Sequence, residues 1–284
     1  MASATWRLND DRGNAMEERD YHRFRDFLER ASGIVLGEQR QYLVRSRLAP
    51  IMKEHGIDGL GLLMERMESG RSPGLKGLVI DAMTTNETSW FRDPAQFIAL
   101  REQVLPEVLA KQSTRLRVWS AACSSGQEPY TLSMAMQDLR APLRLPAMTE
   151  IVATDIAPTM LRFATQAEYC CQSAQRGITE EQRRRYFEPV QDCWRVRPEI
   201  RARVRFREMN LLDSFAALGR FDIIFCRNVL IYFSADVKTR IVQRMADVLT
   251  PQGYLFLGAS ESLSGVSDRF EMQRGNGAIF YRLK

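Results

Sequence analysis

The sequence predicts an α/β fold. It reads as a doubly wound, mostly parallel sheet preceded by a small all-helical domain and interrupted by a small antiparallel β-subdomain. Three observations carry this. Apolar, β-rich runs at 116–120, 150–154, 203–207, 221–226, 253–258 and 278–283 alternate with amphipathic stretches. Before about Met83 the apolar residues recur only at three-to-four spacing. About fifty residues separate the second run from the third, where one crossover needs a dozen or more, so a module is inserted there. The expected division is a helical domain over 1–85, a linker and connecting helix over 86–114, and the sheet domain over 115–284. The insertion falls at about 170–208.

In the helical domain, Tyr21, Phe24, Phe27, Leu28 and Ala31 form an apolar stripe that stops at Ser32-Gly33. A second helix is predicted over 41–54, with Leu48, Ile51 and Met52 inward, basic residues outward, and a kink or restart at Pro50. His55, just before Gly56, reads as a helix C-terminal residue. Leu60, Leu63, Met64 and Met67 repeat the stripe before Ser69-Gly70. Within the insertion, 178–186 reads as a charged helix. The segments 187–190, 193–197 and 203–207 read as short strands, with Trp194, Val196, Val204 and Phe206 alternating against arginines. Such a sheet offers an edge to an extended peptide.

The 284 residues, 45% of them hydrophobic, suit an ordered globular protein. Five cysteines, an odd number without C-x-x-C, favour neither a disulfide framework nor zinc, and no metal is expected. The polar, acidic amino terminus and the lack of a run near the ~18 residues of a membrane span predict a soluble, unsecreted, cytoplasmic protein. The net charge of +5 is clustered at Arg40, Arg45, Arg47 and Lys53, and at Arg195, Arg197, Arg201, Arg203, Arg205 and Arg207. Such patches attract nucleic acid and acidic protein surfaces alike.

In doubly wound sheets, ligands bind outside the carboxyl ends of the strands. That points to 120–128, Asp155, Asn210 and Arg227-Asn228. From Ser120 to Gly126 every residue is Ser, Ala, Cys or Gly, so a ligand can approach the backbone closely. One glycine and no nearby lysine exclude the G-x-G-x-x-G and P-loop fingerprints, and with them a phosphate string. Asp155, at the end of the second run, is suited to a ribose diol, although turn chemistry before Pro158 explains it as well. Together they indicate an adenosine bearing a non-phosphate group, of which S-adenosylmethionine is the common case.

NETSWFRD at 86–93, SAACSSGQEPY at 120–130 and CRNVLIYF at 226–233 resemble the motifs of the chemotaxis receptor methyltransferases, the CheR-type protein-glutamate O-methyltransferases. The resemblance spans nearly the whole chain, and an enterobacterial member is expected. Two positions depart from the pattern: Ala122, where Gly is usual, and Gln127, where Glu is expected. The resemblance implies an S-adenosylmethionine-dependent methyltransferase sheet. It also implies methyl transfer to receptor glutamates, giving γ-methyl esters and S-adenosylhomocysteine. A glutamate with a pKa near ~4.3 is already ionised and needs no general base. Asn86, Thr88, Arg92, Glu128, Asp155, Asn210, Leu211, Arg227 and Asn228 are then the cofactor residues, and Arg92 and Tyr232 the catalytic pair. Cap, turn, salt-bridge or packing roles are the competing readings for each.

Arg45, Arg47 and Lys53 resemble the docking face for acidic, methyl-accepting receptor helices, and the inserted sheet resembles a module that tethers a carboxyl-terminal receptor peptide. A monomer that meets membranes only through receptors, and no nucleic acid, is expected. Two alternatives compete. A nucleic-acid methyltransferase would use the basic patches, but the Asn/Asp-Pro-Pro-Tyr/Phe element common in amino-group methylation is replaced by Arg227-Asn228-Val229-Leu230. A non-enzymatic, cofactor-sensing receptor-binding module would be expected to lose Arg92 and Tyr232.

Overall fold

The computed structural model describes residues 11–70, 72, 74–111, 114–139, 143–171 and 175–284. The polar, acidic amino-terminal segment noted above lies largely outside the described residues. The chain forms two compact units that divide between Thr84 and Thr85.

The first unit packs α1 (Asp11–Ser32), α2 (Gln41–Glu54), α3 (Leu60–Glu68) and α4 (Leu75–Met83) around Tyr21, Phe24, Leu28, Val44, Leu48, Leu63, Met64 and Val79. α2 runs continuously through Pro50, without the restart that was one of the two expectations. Pro50 and Ser46, whose carbonyl it deprives of a donor, are both exposed. The helix ends in a Schellman motif at His55-Gly56, with Ile57 N donating to Met52 O (2.8 Å) and Gly56 N to Lys53 O (3.3 Å).

In the second unit, α5 (Pro94–Ala99), one wider turn at Leu100–Val104 and α6 (Leu105–Lys111) lead into the sheet domain. The seven-stranded sheet has the order β6-β2-β1-β7-β8-β10-β9, with β1 (Arg115–Ala121), β2 (Met148–Asp155), β6 (Val204–Glu208), β7 (Phe221–Cys226), β8 (Leu249–Leu257), β9 (Phe270–Gly275) and β10 (Ala278–Leu283). The pairs from β6 through β8 are parallel, while β10 is antiparallel to both neighbours. The order reverses between β1 and β7, so the cleft that such sheets use for ligands opens at their carboxyl ends.

Period-2 alternation divides the core. Val118, Ile151, Ile223, Phe225 and Phe256 face one layer; Trp119, Val152, Ile224 and Leu255 face the other, under Ile241, Val242 and Met245 of α11 (Ala235–Val248). Stacked rings cross the first layer, Phe225 to Phe256 at 4.3 Å and Phe256 to Phe280 at 5.2 Å. Each buried ring contributes roughly 1.5–3 kcal/mol by burial.

Between β2 and β6 lie α8 (Pro158–Gln166), β3 (Glu168–Tyr169), α9 (Glu180–Tyr186), β4 (Phe187–Val190), β5 (Cys193–Val196) and α10 (Pro198–Arg201). The small antiparallel sheet is ordered β3-β5-β4. Two sequence expectations are corrected here. The run at 203–207, read both ways from sequence, belongs to the main sheet as β6, parallel to β2, and the third small strand is β3. Its two residues are too short to register as a run. A disulfide joins Cys170 and Cys193, where none was expected. Pairing of Tyr169 with Trp194 puts these cysteines next in cross-strand register, a relation that spacing along the chain does not reveal. β9 also went unanticipated, since four of its six residues are polar or glycine.

Candidate active site

The loop between β1 and α7 (Gln127–Gln137) is held by its own backbone and by the neighbouring strand. Cys123 N donates to Thr154 O at 2.9 Å, and Gly126 N to Cys123 O at 3.0 Å. Three positions take left-handed geometry: Ala122 (φ 57°), Ser124 (φ 49°) and Gly126 (φ 91°). The departure at Ala122 therefore falls where glycine is favoured, at a strain of about 1–2 kcal/mol. Gly126 has no alternative, because a Cβ there would lie 2.9 Å from Ala164 Cβ and 3.2 Å from the Tyr169 hydroxyl. That hydroxyl donates to Ser125 O at 2.7 Å and ties the small sheet to the loop. Buried Gln127 accepts from Ser125 Oγ at 2.9 Å, a role its amide fills without the expected glutamate charge.

Asp155 ends β2 with 5% exposure. Its Oδ2 accepts from Ser124 N at 2.7 Å and its Oδ1 from Ala157 N at 2.9 Å, so turn chemistry and loop fixation are both realised.

Arg227, just beyond β7, is the hub. Its guanidinium donates to Glu128 Oε2 (3.0 Å), Asp93 Oδ2 (2.7 Å) and Arg92 O (2.7 Å), with 2% of the side chain exposed. Glu128 also accepts from Ser120 Oγ at 2.7 Å. One cation faces two carboxylates, which leaves one negative charge over. The Arg92 side chain donates to Glu87 O at 3.2 Å, while the carboxylates on either side pair elsewhere, Glu87 with Arg176 and Asp93 with Arg227. Asn86 O accepts from Ser124 Oγ at 3.0 Å, and Thr88 is half-buried beside it in sequence.

After β6, Asn210 Oδ1 accepts from Leu212 N at 3.0 Å, an Asx turn, while Leu211 is buried in the layer that contains Trp119 and Phe215. Asn228 is left-handed (φ 58°), and half-buried Tyr232 closes the short turn Leu230–Tyr232. Glu261, between β8 and β9, accepts from the amides of Asn228, Val229 and Gly258. Sequence reasoning gave no individual role to Asp93, Ser120 and Glu261; Asp93 and Ser120 lay inside quoted motifs, as the last letter of one and the first of another, whereas Glu261 lay outside all of them. Burial pushes the thiols of Cys123 and Cys226 well up, helped by Asp155 and Glu128 for Cys123 and by Glu261 and Glu128 for Cys226, which favours the neutral form of both.

On α2, Arg45 and Lys53 are exposed, whereas Arg47 donates to Met83 O (2.7 Å) and Thr84 O (2.8 Å) at the end of α4. Arg45 and Arg47 are about 200° apart around a helix of 3.6 residues per turn, so the three basic residues do not share one face.

A doubly wound sheet with a small-residue turn after β1, at its switch point, and an acidic end on the neighbouring strand β2 has the layout of a nucleoside-cofactor-binding α/β domain. Residues 86–279 match the CheR methyltransferase SAM-binding domain and residues 19–84 the CheR methyltransferase all-alpha domain. The chain belongs to the CheR methyltransferase family. It is 51% identical to "Chemotaxis protein methyltransferase Cher2" of Pseudomonas putida, over 93% of this chain and 98% of that one. A chemotaxis protein methyltransferase of Vibrio parahaemolyticus is 46% identical, over 95% and 98%. That of Escherichia coli is 32% identical, over 91% and 90%, so identity does not favour the expected enterobacterial origin.

Proposed function

We propose that this chain transfers a methyl group from S-adenosylmethionine to the γ-carboxylates of specific chemoreceptor glutamates. One observation carries the reading: segments 86–93, 120–128 and 226–228, the three motif regions, meet at the guanidinium of Arg227 beside the switch point.

Bound S-adenosylmethionine supplies an electrophilic methyl on a sulfonium. The residues present fit such a group, because the surplus negative charge around Arg227 suits a cation and the small side chains of 120–126 admit it to the backbone. Asp155 receives the ribose hydroxyls, Asn210 and Leu211 line the adenine, and Asn86, Thr88, Glu128 and Asn228 complete the cradle. Arg227 acts mainly by holding Glu128 and the 92–93 backbone in place. Arg92 keeps donors to guide a carboxylate, and Tyr232 orients the incoming glutamate. That glutamate arrives ionised, so the protein contributes alignment and exclusion of water.

Arg45 and Lys53 form the basic docking face for acidic receptor helices, with Arg47 supporting it from within. A receptor peptide would extend the small sheet at β3 or β4, where Pro189 removes one donor from β4. The enzyme works as a cytoplasmic monomer where its cofactor is made, without a metal or nucleic acid. Purified protein incubated with methyl-labelled cofactor and chemoreceptor membranes is expected to label the receptors, and alkali to release the label as methanol. Label that survives alkali, or that enters RNA, contradicts the ester.

A further inference from the structure

Glu261 lies outside every motif that drew attention in the sequence. Its carboxylate nevertheless joins the exits of two neighbouring strands. Oε2 accepts from Asn228 N (2.6 Å), just beyond β7, and from Gly258 N (2.7 Å), just beyond β8; Oε1 accepts from Val229 N (3.1 Å). Successive amides around a left-handed residue form a concave donor site for an anion. Here Asn228 (φ 58°) is that residue, and the anion is a side chain of the same protein. The approach is close: a Cβ on Gly258 would lie 2.7 Å from both Asn228 Nδ2 and Glu261 Oε2, and 2.9 Å from Asn228 N. The pinned segment then carries Tyr232, since Tyr232 N donates to Val229 O at 3.1 Å.

We infer that Glu261 is a positioning residue, which sets cofactor affinity by holding the Asn228 turn in its left-handed form. The inference rests on the reading of the cleft as an S-adenosylmethionine site. Three converging amide donors need an acceptor-only group with two oxygens. Gln in its place offers one oxygen and turns an NH2 toward donors. With its carboxylate committed to backbone amides, Glu261 acts through Asn228 and does not itself touch the cofactor.

The test is a double-mutant cycle on the full chain, read by calorimetric titration with S-adenosylhomocysteine and by thermal melting. Glu261→Gln is expected to weaken binding by about tenfold or more in the native background, the scale of one lost charged hydrogen bond. In an Asn228→Ala background the same change is expected to shift affinity by less than about twofold, because the side chain that the pinned turn presents to the cofactor is gone. A general loss of structure lowers the melting temperature and adds in both backgrounds, so additive losses overturn the inference, as does native affinity in Glu261→Gln. Should that variant not fold, Glu261→Asp, which keeps the charge and withdraws it by one methylene, takes its place in the cycle under the same two criteria. A native chain that binds no S-adenosylhomocysteine would instead contradict the cofactor reading itself.

Discussion

Arg227 and Glu128 meet at 3.0 Å with only 2% and 12% of their side chains exposed, and the same guanidinium takes Asp93 at 2.7 Å. Removing it leaves two carboxylates without their cation. Arg227→Met is therefore predicted to cost about 3–5 kcal/mol of stability in urea unfolding, and to abolish S-adenosylhomocysteine binding in whatever protein still folds. Undiminished stability would show that the pair is not a strut.

Asp155→Asn keeps the side-chain shape and exchanges one acceptor oxygen for a donor. One of the amides of Ser124 and Ala157 then loses its partner. The predicted loss is about 1–3 kcal/mol in cofactor affinity, roughly five- to 150-fold in Kd. Calorimetry measures it, and native affinity would remove Asp155 from the site.

These two residues mark how far the sequence could be read. The run 120–126 and Asp155 were legible because small residues and a strand-end acid constrain the backbone locally. Arg227 was found through its motif, but its part as a strut was not, since Glu128 and Asp93 come to it from 99 and 134 residues away. Glu261 was invisible for the same reason: three amides from two strand exits meet it only once β7 and β8 are paired. The fold was legible where periodicity ran long, as in α1, α2 and β7. It was misread where elements are short or contacts distant, as in β3, the position of β6 and the Cys170–Cys193 bridge.

The basic residues of α2 are predicted to separate in experiment. Arg47→Ala is expected to lower stability by about 1.5–3 kcal/mol, through its charged hydrogen bonds to the carbonyls of Met83 and Thr84. Arg45→Ala and Lys53→Ala are expected to leave stability within about 0.5 kcal/mol, and to raise the KM for receptor in a salt-dependent way. The reverse pattern in melts and kinetics would refute the division.

The buried thiols predict the pH dependence of stability. Folding raises the pKa of Cys123 and Cys226, chiefly by burial. Below the unfolded value of about 8.5 both states hold the proton and the contribution is complete; above it only the unfolded thiol ionises, so stability falls by up to about 1.4 kcal/mol per thiol per pH unit. Urea midpoints at about pH 7.5 and 9.5 check this. Cys226→Ala is expected to flatten the slope, and a midpoint that rises over the same interval would contradict it.

The central claim is tested most directly by mapping methylated residues on chemoreceptors by peptide mass spectrometry, after incubation with the enzyme and S-adenosylmethionine. The account predicts γ-methyl esters on receptor glutamates, absent with S-adenosylhomocysteine in place of the donor. Receptors left unmodified while methyl groups appear on nucleic-acid nitrogens would contradict it.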